Sequence, residues 1–160
     1  MARTLPHESD KRFLVYAGTG TDLLFNHGLD LPGFASFPLL EDPGTRAVLA
    51  SQMQALADLA GEMGVGCILD APTWMANADR AAPLGYDAAR LAEVNRDGVR
   101  LMEEVRQAAG RDDVLVSACI GPRHDPYADT PPMTVEAARA YHAVQLAVLK
   151  ETSVDLVIAY

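Results

Sequence analysis

The sequence is short of cations, cysteines and aromatic side chains, and each shortage removes a class of function. Thirteen Lys and Arg stand against 22 Asp and Glu, a formal net charge of −9, so a nucleic-acid backbone or an anionic membrane surface would be repelled. A small or neutral ligand suits the chain better. Its two cysteines, Cys67 and Cys119, lie far apart in apolar runs, which excludes a disulfide framework and points to buried, reduced thiols. His7, His27 and His142 do not cluster with cysteine or acid at metal-ligand spacing, so no self-contained metal site is expected. No apolar run approaches the roughly 20 residues that span a bilayer, and the first ten residues lack the basic-then-apolar order of a signal peptide. The expected compartment is the cytoplasm.

What the chain does have is apolar material: 49% of its 160 residues are hydrophobic, enough for one buried core and one domain over 1–160. Four short runs, Phe13–Ala17, Val65–Leu69, Val114–Cys119 and Val154–Ala159, read as strands. None alternates cleanly between polar and apolar, so both faces of the sheet are expected to be covered, as in a parallel sheet flanked by helices. Three helices fall between them. The first starts at Asp42-Pro43 and stops at Gly64, the second runs from about Asp87 to Ala109 before Gly110, and the third follows Pro131-Pro132 with Thr134 as its cap. Capping carboxylate or hydroxyl, early proline and terminal glycine are the signals in each case.

The connections are unequal. Each helix returns to the next strand through a few residues, whereas strands lead onward through Gly18–Glu41, Asp70–Tyr86 and Ile120–Met133. Long loops after strands and tight ones before them are the polarity of a β/α barrel, whose ligands sit at the strands' C-terminal ends. An α/β fold of parallel β/α units, the first half of a TIM (β/α)8 barrel, is the reading this favours, with an open doubly wound sheet as the competitor.

Candidate ligand-binding residues cluster after the strands. Gly18-Thr19-Gly20-Thr21-Asp22 lacks the third glycine of a dinucleotide fingerprint, with Leu23 in its place, and reads as a tight turn whose backbone N–H groups could hold a substrate carboxylate. Asp70-Ala71-Pro72-Thr73-Trp74 closes the second strand and carries the only tryptophan. Trp74 is a candidate pocket wall, and Asp70 a candidate acceptor for an amine or a solvated rim carboxylate. Asn95, inside the second helix, needs a partner there and is placed to anchor a loop from below. Ile120-Gly121-Pro122 is a sharp turn, followed by Arg123-His124-Asp125, where a solvated histidine is the commoner reading than a catalytic one.

Taken in order, Phe13-Leu14, Gly18, Thr21-Asp22-Leu23, Asn26, Gly28, Gly64-Val65-Gly66, Asp70, Pro72-Thr73-Trp74, Gly85-Tyr86, Asn95-Arg96 and Ile120-Gly121-Pro122 resemble the N-terminal half of the homocysteine S-methyltransferase family. The resemblance implies a β/α barrel that moves a methyl group from a sulfonium or ammonium-type donor to the thiol of homocysteine, in methionine biosynthesis. It also implies zinc, held by cysteine thiolates from later strands, which turns the substrate sulfur into a thiolate. Loops after the first strands would hold the amino acid, which makes Gly18, Gly20, Thr21, Asp70, Thr73, Trp74, Asn95 and Gly121 the expected substrate-binding residues, with no catalytic residue and no metal ligand among them.

Departures from the family pattern shape the expectation. Tyr16-Ala17-Gly18 stands where the family has Asp-Gly-Gly, Ala71-Pro72-Thr73 where it has Thr-Asn-Thr, and Tyr160 where a fourth-strand glutamate is common. Cys67 and Cys119 lie on early strands and do not match the zinc ligands. The chain is therefore expected to be a truncated half-barrel, silent in catalysis alone, that dimerises or pairs with a complementing C-terminal half. A small-molecule-binding half-barrel without chemistry, or a flavodoxin-like binding domain, are the alternatives.

Overall fold

The computed structural model describes residues 3–124, 129 and 131–159. Four strands, β1 (Phe13–Val15), β2 (Gly66–Ala71), β3 (Val114–Ile120) and β4 (Leu156–Ala159), form one parallel sheet in the order β1-β2-β3-β4. Every neighbour in space is the next strand in sequence. A doubly wound or flavodoxin-like sheet reverses its strand order at a switch point, and this sheet does not, so the fold is half of a β/α barrel and the competing architecture is excluded.

The helices between the strands are α1 (Thr19–Phe25), α2 (Pro43–Glu62), α3 (Ala78–Ala81), α4 (Ala88–Ala109) and α5 (Val135–Leu149). Local chemistry sets the ends of the three long ones. Asp42 accepts from Thr45 N at 2.9 Å, Asp87 from Arg90 N at 2.8 Å and Thr134 from Ala137 N at 3.2 Å, each satisfying an N-terminal donor that the helix leaves without a partner. Gly110 closes α4 in the left-handed region at φ 62°, where a side chain would be strained.

Alternation along β2 and β3 divides the sheet into two faces. Cys67, Leu69 and Ala71 with Val114, Val116 and Ala118 join the core formed with Leu49, Met53 and Leu56 of α2 and Val94, Leu101 and Val105 of α4. The opposite face carries Ile68 and Asp70 beside Leu115, Ser117 and Cys119, and corresponds to the inside of a barrel. Ile68 and Leu115 are buried there, but the outer strands are not covered as fully as expected. Val15 and Val157 are exposed, because β1 and β4 each have a free edge within the described chain.

Other expectations shift at their boundaries. β2 runs on to Ala71, so Asp70 sits on the strand and not in the loop after it. β1 stops at Val15, and Val154-Asp155 precede β4. The segment Gly18–Asp22, read as a tight turn, is instead the start of α1, with only Gly18 left-handed at φ 83°. Short 3-10 turns at Pro32–Phe34, Phe37–Leu40 and Ala82–Leu84 fill the long connections. Asp125 and Tyr160 lie outside the described residues.

The N-terminal ends of the strands are closed by charge. Asp155 accepts from the buried Arg106 guanidinium at 2.6 Å and from Val116 N at 2.9 Å, with Arg3 3.6 Å away. Asp113 pairs with Lys11 and Arg111. These contacts tie the segment before β1 and the helix α4 to the bottom of the sheet.

Candidate functional site at the strand ends

A cavity of about 460 Å³ opens at the C-terminal ends of β1–β3, the end at which barrel ligands bind. One wall is the β1–α1 turn, Tyr16 to Thr21, and the opposite wall is Asp70, Pro72 and Trp74 from β2 and its loop. Met53 of α2, Met102 of α4, Phe34 and Cys119 complete a largely apolar and sulfur-rich lining. Asp70 is the only carboxylate among the lining residues.

Asp70 is held by the Ser117 hydroxyl, which donates to it across β2 and β3. Burial pushes its carboxyl above the ordinary range, and the Ser117 bond only partly offsets this. No cation pairs with it among the described residues. A half-buried acid in that position gains most from a ligand that brings its own positive charge.

The two thiols are placed very differently from metal ligands. Burial pushes Cys67 up to about 11 and Cys119 up to about 12, the latter with help from the Asp70 charge. Both are thiols and not thiolates near neutral pH. Cys67 faces the helices, and only Cys119 reaches the cavity. Among the described residues no group of three or more His, Cys, Asp and Glu side chains could hold a metal ion.

Of the residues expected to bind substrate, Gly18, Gly20, Thr21, Asp70 and Trp74 line this cavity together. Thr73, Asn95 and Gly121 do not. Thr73 is fully buried, and its hydroxyl donates to Cys119 O at 2.8 Å and accepts from Cys119 N at 3.0 Å, stapling the β2 loop to β3. Asn95 Nδ2 donates to Ala76 O at 3.0 Å and to Leu91 O at 2.9 Å, so it anchors the loop from below. Gly121 donates its N–H to Trp74 O at 2.9 Å, and a Cβ there would run into the Trp74 backbone and indole. These three hold the wall that Trp74 presents.

Gly20 has a different role from the one its spacing suggested. A Cβ on it would come within 3.0 Å of Phe34 Cε1, so the close approach that needs glycine is made by an aromatic ring of the same chain. Phe34 itself has φ 62°, an uncommon conformation for a side-chain-bearing residue. Tyr16 was visible only as a departure from a pattern. It donates to Asp22 at 3.2 Å, and Asp22 also accepts from Asn26 and Gln52. This joins the cavity rim to α1 and α2. Phe34, Met53 and Met102 had no local signal, because they reach the cavity from helices and turns distant in sequence.

Arg123 lies outside the cavity, with Nε 2.6 Å from Asp79 and its guanidinium 5.0 Å from the centre of the Tyr141 ring. His124 is exposed and does not line the cavity.

No curated protein sequence matches the chain. Two solved structures do match in fold: the homocysteine methyltransferase MmuM from Escherichia coli in its metallated form, with a TM-score of 0.69 and 22% identity, and in its oxidized form, with 0.72 and 20%. The match covers 94% and 96% of this chain and 54% of each MmuM chain, so this chain spans about half their length. The family profile described as homocysteine S-methyltransferase aligns with residues 17–160. By that alignment, over most of its length, the chain belongs to the homocysteine S-methyltransferase family.

Proposed function

We propose that the cavity at the strand ends receives homocysteine or a closely similar sulfur amino acid, and that this chain supplies the substrate-binding loops of a homocysteine S-methyltransferase. The observation that carries the reading is Asp70: one carboxylate with no cationic partner among the described residues, in an apolar cavity at the ligand-binding end of the sheet. In this reading Asp70 faces the substrate ammonium, replacing the acid missing at Tyr16-Ala17-Gly18. Backbone N–H groups around Gly18, Gly20 and Thr21 meet the substrate carboxylate, and Trp74 covers the side chain. Thr73, Asn95 and Gly121 act as positioning residues beneath that wall.

The zinc implied by the family would supply a thiolate nucleophile when bound. The described residues do not fit it: Cys67 faces the core, Cys119 is a protonated thiol beside Asp70, and no third ligand approaches them. The chain alone is therefore proposed to bind the amino acid without transferring a methyl group. Catalysis would require metal ligands from a second polypeptide or a further segment, docked along the free edges of β1 and β4. A second copy of the chain is the other partner those edges could take.

Calorimetric titration with L-homocysteine tests the binding step. Saturable heat is expected, with affinity at least about tenfold weaker in Asp70→Asn. An absence of heat at millimolar ligand overturns the reading. A companion assay supplies zinc and a sulfonium methyl donor to the purified chain. No methionine is expected, and turnover by this chain alone overturns the claim that it needs a partner.

A further inference from the structure

Helix α5 buries few of its own side chains. Of its fifteen residues only Gln145 and Leu149 are buried, and with the half-buried Tyr141 they recur every four positions along one face. The middle of that seam is an amide, where leucine or valine would be the ordinary occupant.

The amide reaches a loop of the strand-end cavity. Gln145 Nε2 donates to Thr73 O at 2.9 Å and to Asn95 Oδ1 at 3.0 Å. Asn95 Nδ2 is committed to Ala76 O and Leu91 O, so its oxygen is the atom left to accept, and Gln145 must present its nitrogen. Thr73 O also accepts from Ala76 N at 3.0 Å, a bond internal to the loop, whereas the Gln145 bond ties that turn to a separate helix. Thr73 O belongs to the same planar peptide unit as the Trp74 N–H, so holding this oxygen fixes the plane from which Trp74 departs. On the other side, Gly121 N donates to Trp74 O at 2.9 Å. Trp74 is therefore clamped at both of its peptide units, once from the end of β3 and once from α5.

Stability alone is a poor reason for an amide in this seam. Gln145 Oε1 is buried and has no partner among the described residues, a cost that an apolar side chain of the same length would not carry. What the amide adds is direction. An apolar side chain can fill the space but cannot hold a carbonyl at one orientation.

We propose that Gln145 is a positioning residue for the strand-end cavity: docking of α5 sets it beneath the β2 loop, where it fixes the Thr73–Trp74 peptide and with it the orientation of the indole wall. That this wall meets a sulfur amino acid rests on the function proposed above, whereas the hold of Gln145 on Trp74 does not. Tyr141, one turn earlier on α5, donates to Asn77 Oδ1 at 2.7 Å and leaves the Trp74 peptide units untouched. It supplies the matched control.

The test compares Gln145→Met, which keeps the length of the side chain and removes its donor, with Tyr141→Phe. Trp74 is the only tryptophan, so fluorescence anisotropy and acrylamide quenching of the ligand-free chain report on it alone. Gln145→Met is expected to lower the anisotropy and raise the quenching, and to weaken homocysteine by about tenfold in calorimetric titration. Tyr141→Phe is expected to leave all three near wild type. In a Trp74→Leu background Gln145→Met should cost no further affinity, because its effect passes through the indole. Wild-type anisotropy and quenching in Gln145→Met overturn the proposal, whatever the melting temperature does. So does an equal change in Tyr141→Phe, or an equal loss of affinity with and without Trp74. If homocysteine gives no heat with the wild type, the function proposed above fails, and the ligand-free fluorescence still decides on Gln145. If Gln145→Met does not fold, Gln145→Asn takes its place in the same measurements, since it stays polar but is one methylene too short to span Thr73 O and Asn95 Oδ1.

Discussion

The two ends of the sheet handle their acids in opposite ways. At the N-terminal end Asp155 and Asp113 are met by Arg106, Arg3, Lys11 and Arg111, side chains that come from the segment before β1, from α4 and from the turn between α4 and β3. At the C-terminal end Asp70 has a hydroxyl for company and a cavity in front of it. Lys11 and Arg111 hold Asp113 below the ordinary carboxylate range despite its burial, whereas burial pushes Asp70 above it. The bottom of the sheet spends its charge on closure. The top leaves an acid under-satisfied, which is what a binding site for a cationic group requires.

The largest effect should come from breaking the closed end. Asp155→Ala leaves the Arg106 guanidinium, only 6% exposed, with Glu103 as its remaining partner and strips Val116 N of its acceptor. Removing one partner of a buried pair costs about 3 kcal/mol, so urea unfolding should show a large fall in midpoint. Asp155→Asn, which keeps the Val116 bond, should fall less. If homocysteine affinity also changed tenfold in the surviving folded fraction, the two ends would be coupled, and the contrast between closure and binding would fail.

Next in size is the wall at the open end. Gly121→Ala drives a methyl into Trp74, and overpacking of this kind costs about 1–3 kcal/mol. Because the affected side chain lines the cavity, the expected signature is a fall in melting temperature together with a shift in tryptophan fluorescence. A stability loss with an unmoved indole spectrum would mean that the strain is absorbed elsewhere and that Gly121 does not position the wall.

How far each end could be read from sequence follows from how local its chemistry is. The caps Asp42, Asp87 and Thr134 and the terminators Gly64 and Gly110 act within a few residues of themselves, so the three long helices stand where their signals put them. Asp70 and Trp74 were legible because both follow an apolar run at a strand's end. The network below the sheet was not legible. Arg106 and Asp155 are 49 positions apart, and no spacing rule joins an arginine late in a helix to an aspartate before a later strand. Helix α1 was hidden for another reason: Thr-Gly-Thr is a poor helix-forming run, and what stabilises the helix is the hub at Asp22, which gathers Tyr16, Asn26 and Gln52. Asn95 was legible as a residue in need of a partner, but Gln145, which completes its bonding, carried no signal of its own.

Asp70→Asn should sharpen the contrast by moving stability and binding in opposite directions. The amide keeps a partner in Ser117 but sheds the charge that burial penalises. Because the folded-state pKa of Asp70 is raised, the wild type carries no penalty below the unfolded value of about 3.9. The penalty grows as pH rises from there through the folded pKa. The variant should therefore melt a few degrees higher than the wild type at pH 7, with the gap closing in acid, while losing homocysteine affinity by about tenfold. A variant that is less stable at pH 7 would show that Asp70 is satisfied by the fold and is not held for a ligand.

The smallest effect belongs to Lys11→Ala at the closed end. Lys11 is 42% exposed on its side chain and its partner Asp113 21%, so water and salt screen most of the attraction, and the loss should stay below about 1 kcal/mol and shrink further at high ionic strength. Its pH dependence is the informative part. Asp113 has a lowered folded-state pKa, so its contribution is present above the unfolded value and is lost as pH falls through the folded one. Lys11→Ala should be destabilised near neutrality and approach the wild type in acid. Thermal melts of this variant and of Asp70→Asn across the same acidic range should therefore diverge from the wild type in opposite directions as pH rises. If both curves moved the same way, one acid would be misassigned, and because Asp113 has two cationic partners, Asp70 would be the one to re-examine.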